Sequence, residues 1–433
     1  MRSEPSSGYR QALTQPGVRT FTSTGFIARL PVAMNALAIV LLVSNTTGSY
    51  AYAGVLSALL AVTAGLVSIL TSRLADRIGQ TIVVRILALA HSSLLVVFTI
   101  SILAGFPRFL QVLLVVAAGA STPAIGSYVR ARWTHTSKDA SMLRVGFAWE
   151  SILDELIFTI GPILTTALAF SVGFASPLFL ASALVLLGSL ALAASKSTEP
   201  PAHGGPVESS SLWAILRMPG LTSLVVAAIG LGVVFGTVDV GVVAFTAERG
   251  SGSLAGFVLA TFAVTSMVGG ISYGSRDWPG PVRWHTRIAA AALAVVTVGF
   301  PLATNNAMVF VVAALAGFSV APALIGIFTL ASRLVPRRHL TEGLTWTNSG
   351  LAVGFALGSS ATGIVVDAYG ARAGLVLTVL GAVAALASLS NKVLARADTP
   401  EPSGLFGESG QLAEPVNTWN DDPLPGPHQP ASS

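Results

Sequence analysis

Apolar residues occur in long continuous stretches along most of the chain, and polar residues collect between them. A helix needs about 20 consecutive apolar residues to cross the hydrocarbon core of a bilayer, and twelve stretches reach that length. The stretches in the first half are Phe21–Ser44, Tyr50–Thr71, Thr81–Leu103, Phe109–Val129, Ser141–Phe170 and Phe174–Ala194. Those in the second half are Leu221–Thr246, Ser253–Tyr273, Thr286–Ala303, Met308–Ser332, Thr341–Val366 and Ala371–Ser390. The pattern predicts twelve transmembrane helices.

Composition strengthens this prediction. Of the 433 residues, 53% are hydrophobic and only 10% are charged, and the mean hydropathy is +0.74. A soluble domain carries about 25% charged residues, so this chain cannot cover a water-facing surface of its size. The 43 glycines suit helices that pack closely in lipid. We therefore predict an all-α polytopic membrane protein.

The polar segments predict five regions. These are a cytoplasmic N-terminal tail (1–20), a six-helix bundle (21–195), a cytoplasmic linker (196–219), a second six-helix bundle (220–391) and a disordered cytoplasmic tail (392–433). The tails and the linker are rich in Pro, Gly, Ser and charged residues, which is typical of segments without a packed core.

Basic residues predict the orientation. Of the 24 Lys and Arg residues, 20 lie on the same side as the N-terminus, Arg29 lies within the first span, and Arg108, Arg249 and Arg372 lie on the other side. Because cytoplasmic loops carry an excess of Lys and Arg, we expect both termini in the cytoplasm of a multi-pass plasma (inner) membrane protein. The net charge of +5 then belongs to cytoplasmic loops, and we expect no nucleic-acid partner.

The two halves of the chain repeat each other. Ala53-Gly54 matches Ala255-Gly256 at an offset of 202, and Pro123-Ala124 matches Pro322-Ala323 at an offset of 199. A third set matches at an offset of 197, namely Gly146, Trp149, Gly161 and Gly173 with Gly343, Trp346, Gly358 and Gly370. Chance identity is the alternative, but tryptophan is rare in this chain. Two parallel six-helix halves are a transporter architecture, with the substrate site expected between them at mid-membrane.

The loop after the second span carries the most specific motif. It reads Ser-Arg-Leu-Ala-Asp-Arg-Ile-Gly-Gln-Thr over residues 72–81. With the six-plus-six arrangement, it resembles the G-x-L-A-D-R-x-G-R-K motif of the major facilitator superfamily, although Ser72, Gln80 and Thr81 depart from that pattern. The resemblance implies the fold of that superfamily, alternating access, and a conformational latch formed by Arg73, Asp76, Arg77 and Gly79. In the latch, Asp76 would face a helix N-terminus of the other half; a charged turn that only ends the helix is the alternative.

The fifth span contains a second motif. Gly161-Pro162 matches the centre of a glycine motif found in exporters of that superfamily, but Ile157, Thr165 and Thr166 replace its further glycines. Because proline loosens a helix, we expect Gly161 and Pro162 to act as a hinge; an ordinary transmembrane proline is the alternative. The span Phe109–Val129 contains no basic residue, so the arginine-based proton relay of related exporters cannot be transferred to it.

Ionisable residues within a span usually mark a pathway or an ion pair. The fifth span carries Glu150, Asp154 and Glu155, and the first two are four residues apart and share a helix face. We expect at least one of these crowded carboxylates to exchange protons near neutral pH. Arg29 lies at the depth of Glu150, so we expect it to pair with Glu150 or Asp154. A purely structural ion pair is the alternative, and Glu155 has a second alternative in a bond to the eighth span.

Other polar or aromatic residues are candidates to line the pathway. Asp239 in the seventh span is a candidate substrate contact or gate, with a simple lining role as the alternative. Asn35, Trp149 and Trp346 are candidate cavity residues, and packing is the alternative for the tryptophans. We expect a structural role for His91, because the third helix is peripheral in the resembled fold.

Several classes of function are excluded or disfavoured. The chain has no cysteine, so disulfide and thiol chemistry is excluded. It lacks the metalloprotease, nucleophile-elbow and P-loop motifs, so we expect no enzyme, no metal and no cofactor.

We therefore predict a monomeric secondary active transporter that performs proton-coupled efflux of a small organic molecule. Its predicted partners are that substrate, protons and the lipid bilayer. One alternative is an uptake or facilitated-diffusion carrier for a small solute, for instance a cationic one. Another is a receptor or scaffold that keeps the fold without transport.

Overall fold

The computed structural model describes residues 13–137, 140–202, 220–276, 278–335, 340–391 and 394. Within them, twelve helical spans are long and apolar enough to cross a membrane. Those of the first half are α1 (Val18–Thr47), α2 (Tyr50–Ile78), α3 (Gln80–Leu103), α4 (Arg108–Thr136), α5 (Ala140–Ser171) and α6 (Ser176–Ala194). Those of the second half are α7 (Leu221–Glu248), α8 (Gly252–Gly274), α9 (Val282–Leu302), α10 (Asn306–Leu334), α11 (Leu340–Tyr369) and α12 (Ala371–Ser388). The predicted number of spans is confirmed.

The N-terminus of α1 and the C-terminus of α12 lie at the end of the bundle that we call the terminal end, and the opposite end is called the far end. Most of the predicted tails and most of the predicted linker (residues 1–12, 203–219, 392–393 and 395–433) lie outside the described residues, and α1 begins at Val18, inside the predicted N-terminal tail.

The central helices are α1 and α7. Leu37 and Leu41 of α1 belong to the same buried apolar cluster as Val234 and Val238 of α7. Outer helices instead expose large apolar side chains, as at Ile86 of α3, Leu187 of α6, Val295 of α9 and Leu380 of α12. A globular protein seldom exposes so much contiguous apolar surface unless something covers it, and in a membrane protein that cover is lipid.

The two halves contact each other through repeat-related pairs. Gly54 of α2 lies against the backbone carbonyl of Ser359 in α11, and Gly256 of α8 lies against the carbonyl of Pro162 in α5. The two glycines are related by the offset of 202, and their partners by the offset of 197. A side chain at either glycine would meet backbone, which is why the smallest residue occupies both positions. The repeat therefore corresponds to two pseudo-symmetric six-helix bundles.

The fourth span is longer than predicted. It reaches Thr136 rather than Val129 and is divided at Ser121 to Ala124, around Pro123, into two helical segments. Proline cannot donate a backbone hydrogen bond, so a local break is expected there. The extension places Arg130 and Arg132 on α4, which corrects the expectation that this span has no basic residue.

Arg132 is tolerated inside the bundle because acceptors from elsewhere surround it. Its side chain is fully buried. It donates Nε to Oε1 of Gln80 at 3.1 Å, and Nη1 to the carbonyl of Ser195 at 2.7 Å and to Oγ1 of Thr198 at 2.9 Å. These partners come from α3 and from the start of the linker, so hydropathy along α4 could not reveal them.

Candidate functional site

An arginine at the centre of the first half holds two carboxylates. Arg29 of α1 is buried and donates Nη1 to Oδ1 of Asp154 at 2.7 Å, and its Nη2 pairs with Oε2 of Glu150. Its Nε donates to the carbonyl of Gly25 at 3.2 Å, which orients the guanidinium along α1. Glu150 and Asp154 are one helical turn apart on α5, so a single guanidinium reaches both.

Two residues of α4 complete this network. Trp133 donates Nε1 to Oε1 of Glu150 at 2.9 Å, and Arg130 donates Nη2 to Oδ2 of Asp154 at 2.7 Å. Both oxygens of each carboxylate are thereby occupied, and two guanidiniums balance two carboxylates. We call Arg29, Arg130, Trp133, Glu150 and Asp154 the charge network.

Arg130 and Trp133 were not predicted, because the predicted fourth span ended at Val129. One signal could have found Arg130: two intramembrane carboxylates need more positive charge than Arg29 alone supplies. Arg130 directly follows the fourth apolar stretch, on the same predicted side of the membrane as the cytoplasmic end of the fifth.

The two members of the network's acidic pair differ in exposure. The side chain of Glu150 is fully buried, whereas 33% of the Asp154 side chain is exposed. Arg130, its second partner, is 44% exposed. Asp154 is therefore the more accessible of the two carboxylates.

The other predicted acids take no part in the described ion pairs. Glu155 is half-buried on α5 and pairs with no described basic residue. Asp239 lies on α7, and its Oδ2 is buried without a hydrogen-bond partner among the described residues. The structure therefore does not join Asp239 to the charge network of the first half.

A cavity of about 470 Å³ adjoins the charge network. Its walls include Arg29, Arg130 and Asp154, and every span of the first half contributes. One lining residue from each of the six spans in turn is Asn35, Ser57, His91, Arg130, Asp154 and Val185. The cavity thus lies within one half, whereas the sequence led us to expect a site between the halves. His91, for which a structural role was expected, is one of its walls.

The repeat-related tryptophans lie in apolar clusters and are not among the described walls of the cavity. Trp149 is half-buried and packs on the apolar cluster of the first half that contains Val129 and Trp133. Trp346 is half-buried and packs on the large cluster built around α7. Both positions favour packing over a direct role in the cavity.

The predicted hinge lies where α5 meets two other helices. Gly161 faces α1, where an added Cβ would come within 2.7 Å of the Cβ of Ala33. The carbonyl of Pro162 faces Gly256 of α8 and also accepts a hydrogen bond from Thr166. The helix nevertheless continues through Pro162 to Ser171.

The predicted latch loop is only partly described. Gly79 ends α2 with a φ of +97°, a conformation that favours glycine. Arg73 and Arg77 are exposed, and the side chain of Asp76 lies outside the described residues. The latch therefore stays a prediction.

Two of the residues that depart from the family motif bind other parts of the first half. Thr81 donates its backbone N–H to Oε1 of Glu199 at 2.7 Å, and its hydroxyl also bonds to that carboxylate. Gln80 accepts a hydrogen bond from Arg132 of α4, which itself donates to Thr198. Thr81 therefore contacts the start of the linker directly, and Gln80 contacts it through Arg132.

An acidic residue of the second half caps a helix of the first half at the far end. Asp367 of α11 accepts hydrogen bonds from the hydroxyl of Ser49 at 2.7 Å and from the backbone N–H groups of Tyr50 at 2.7 Å and Ala51 at 2.9 Å. The repeat equivalent of Asp367 is Phe170 of α5, which packs against Gly252 at the start of α8. One interface is therefore polar and the other apolar.

We expect Asp367→Asn to weaken closure at the far end. An amide supplies one acceptor oxygen and no charge to the positive N-terminus of α2, a loss of about 1 kcal/mol. The fraction of molecules that are open at the far end should rise about five-fold. The distance between spin labels on cysteines at exposed Val172 and Tyr369 measures this directly, because the natural chain has no cysteine.

A matched control lies in the same half as Asp367. Glu248 accepts from the backbone N–H of Ala371 at 2.6 Å, so it caps α12 within the second half. Glu248→Gln should leave the distance between the labels unchanged. If the two variants shift this distance equally, the cap between the halves has no role in closure.

Comparisons with known proteins agree with this architecture. The family model described as Major Facilitator Superfamily matches residues 21–297. No curated protein matches the sequence. Solved structures with the same fold include the nucleoside transporter NupG (13% identity, TM-score 0.69, 88% of this chain and 99% of that chain, D323A mutant). A bacterial homologue of the human lysosomal transporter Spinster, in an inward-facing and unoccupied conformation, aligns at 14% identity and TM-score 0.68, covering 92% and 99%.

A further similar structure is the human organic anion transporter MFSD10, with 16% identity, a TM-score of 0.61 and coverage of 87% and 100%. At these identities the structural similarity establishes the fold and leaves the substrate open. The match of the family model over more than half of the chain, together with the two six-helix bundles, shows that the chain belongs to the Major Facilitator Superfamily.

Proposed function

We propose that this protein is a proton-coupled secondary active transporter that exports a small organic molecule by alternating access. The charge network carries the proposal, because two carboxylates and two guanidiniums connect three helices at the wall of a cavity inside the membrane. Intramembrane ion pairs of this kind are costly and usually functional. Members of the superfamily are transporters, which argues against an enzyme.

Asp154 is the proposed proton-exchanging residue, and Glu150 is its anchor. Protonation of Asp154 removes the charge that holds Arg130 and one arm of Arg29, while Glu150 keeps the other arm of Arg29. The link between α4 and α5 then weakens while that between α1 and α5 remains. Proton binding thereby acts on helix packing, as coupling to a conformational change requires.

The orientation follows from the basic residues. With the termini in the cytoplasm of the plasma membrane, the far end faces outward, and the contacts of Asp367, Gly54 and Gly256 close that side. The proposed conformation is inward-facing. Gly161-Pro162, which packs against both α1 and α8, supports export by its resemblance to the exporter motif.

Uptake or facilitated diffusion of a cationic solute is the second candidate. It would require free carboxylates in the cavity, and both Glu150 and Asp154 are already paired with guanidiniums. Glu155 and Asp239 take part in no described ion pair and are the remaining predicted acids that could serve such a solute. A receptor or scaffold without transport is the third candidate, and the flux experiment below separates all three.

The test uses purified full-length protein in liposomes loaded with a pH-sensitive dye. Each solute of a library is added in turn, and the dye identifies the solutes whose movement is accompanied by proton movement. For each of these, the direction of the proton gradient that drives accumulation of the solute distinguishes export from uptake. We expect Asp154→Asn to abolish gradient-driven accumulation and to keep exchange of the solute at equal concentrations, since exchange needs no net proton movement. Glu155→Gln, one residue away and unpaired with any described base, is the matched control and should keep accumulation.

Three results would overturn the proposal. Gradient-driven flux that survives Asp154→Asn, Glu150→Gln and Glu155→Gln alike would remove the coupling role of the fifth span. Flux of a solute without any proton movement would indicate facilitated diffusion, and absence of flux for every solute would indicate a receptor or scaffold.

A further inference from the structure

Three residues that line the cavity of the first half each carry a buried polar atom with no hydrogen-bond partner among the described residues. The atoms are Oδ1 of Asn35 on α1, Oγ of Ser57 on α2 and Nε2 of His91 on α3. Their residues are 8%, 1% and 0% exposed, respectively. An unsatisfied buried polar group costs about 1–3 kcal/mol. Because all three residues line one cavity, a molecule inside that cavity can supply the missing partners.

The chemistry of His91 defines what this molecule must offer. Nδ1 of His91 lies 2.7 Å from the carbonyl of Ala118, and a carbonyl can only accept, so Nδ1 carries the proton. Nε2 of the neutral ring is then an acceptor. The amide oxygen of Asn35 is also an acceptor, and the hydroxyl of Ser57 can accept or donate. The three positions together call for hydrogen-bond donors.

The other residues of the cavity wall and the net charge of that wall narrow the class of ligand. Leu60, Ile157, Phe158 and Val185 give the cavity apolar surface, and its volume of about 470 Å³ lies in the range of about 300–1,000 Å³ that holds small organic ligands. The charge network on the same wall is balanced and therefore presents no net charge to a ligand.

We infer that this cavity within the first half binds a neutral organic molecule with an apolar body and several hydroxyl, amide or N–H donors. The inference rests on the proposed function in that such a molecule would be the transported solute. We call Asn35, Ser57 and His91 the donor-recognition site.

The test measures binding to full-length protein in nanodiscs by ligand-observed NMR titration, without a proton gradient. The probes share one aromatic ring: resorcinol has two hydroxyl donors, 1,3-dimethoxybenzene has none, benzylammonium is cationic and benzoate is anionic. We expect resorcinol to bind at least three-fold more tightly than each of the others. Ser57→Ala and His91→Gln should each weaken resorcinol binding by about three- to ten-fold, the value of one hydrogen bond, with little change for dimethoxybenzene.

Ser189→Ala is the matched control. Ser189 of α6 also carries a buried hydroxyl without a described partner, but it is not a wall of this cavity. Its replacement should leave the affinity for resorcinol unchanged. Ser57→Ala should not lower the melting temperature of the free protein, since it removes an unsatisfied hydroxyl, so a loss of binding cannot be assigned to unfolding.

Specific outcomes would overturn the inference. Equal binding of resorcinol and dimethoxybenzene, or unchanged resorcinol binding in both Ser57→Ala and His91→Gln, would show that the cavity does not recognise donors. Preference for benzylammonium or benzoate would show that it does not select neutral ligands. If resorcinol does not bind while solutes still move protons in liposomes, the proposed function stands and the solute binds at a different site. If resorcinol binds while no solute moves protons, the cavity recognises donors and the proposed proton-coupled transport is wrong.

Discussion

Replacing Arg29 with methionine is expected to abolish transport and to destabilise the protein by about 3–5 kcal/mol, the cost of leaving a buried charge without its partner. Glu150 is fully buried and would keep only the hydrogen bond from Trp133. Asp154 would keep Arg130, so the damage should concentrate at Glu150. The melting temperature in detergent and gradient-driven flux in liposomes measure the two effects.

Two comparisons make this prediction specific. Arg130→Met should cost about 1 kcal/mol or less, because Arg130 is 44% exposed and water can solvate its partner. The double variant Arg29→Met/Glu150→Leu should recover most of the stability, since a buried ion pair replaced by apolar side chains is often tolerated, while flux stays absent. A single Arg29→Met variant that melts like the natural protein would show that Glu150 is not charged in the folded state.

Alanine at Gly54 is expected to prevent full closure of the far end and to reduce transport at least ten-fold. A Cβ at this position meets the backbone carbonyl of Ser359 in α11, which no side-chain movement can relieve. Overpacking of this kind costs about 1–3 kcal/mol, and 1.4 kcal/mol is already a ten-fold change in an equilibrium constant. The spin-label distance between Val172 and Tyr369 should lengthen, and the flux should fall with it.

The same pair of helices provides the control. Gly65 also lies on α2 and faces α11, but an added Cβ would be 3.6 Å from the side chain of Ala352, an ordinary van der Waals contact. Gly65→Ala should therefore leave both the distance and the flux near their natural values. If Gly54→Ala and Gly65→Ala behave alike, the close approach at Gly54 does not limit closure.

Much of the fold was readable from local pattern. Runs of apolar residues predicted all twelve spans, because a helix in lipid must satisfy its backbone internally and present apolar side chains outward. The repeat predicted the two bundles, and Gly54 and Gly256 proved to lie at equivalent contacts between them. Arg29, Glu150 and Asp154 stood out because charges are rare within apolar stretches.

Other features depended on residues that only folding brings together. The end of α4 was misplaced because Arg130 and Arg132 lower the local hydropathy, although acceptors from α5, α3 and the linker compensate them. The cap that Asp367 of α11 provides for α2 joins residues 317 positions apart in the chain.

The sequence by itself determined that this protein crosses a membrane twelve times in two related halves and carries ionisable groups inside the first. Only the tertiary structure decided which groups meet: Trp133 with Glu150, Arg130 with Asp154, and Asn35, Ser57 and His91 around one cavity. The physical reason is that the hydrophobicity of a span depends only on the residues of that helix. Whether a polar side chain inside the bundle has hydrogen-bond partners depends instead on atoms of other helices. Those atoms are distant in sequence, and their positions follow from packing.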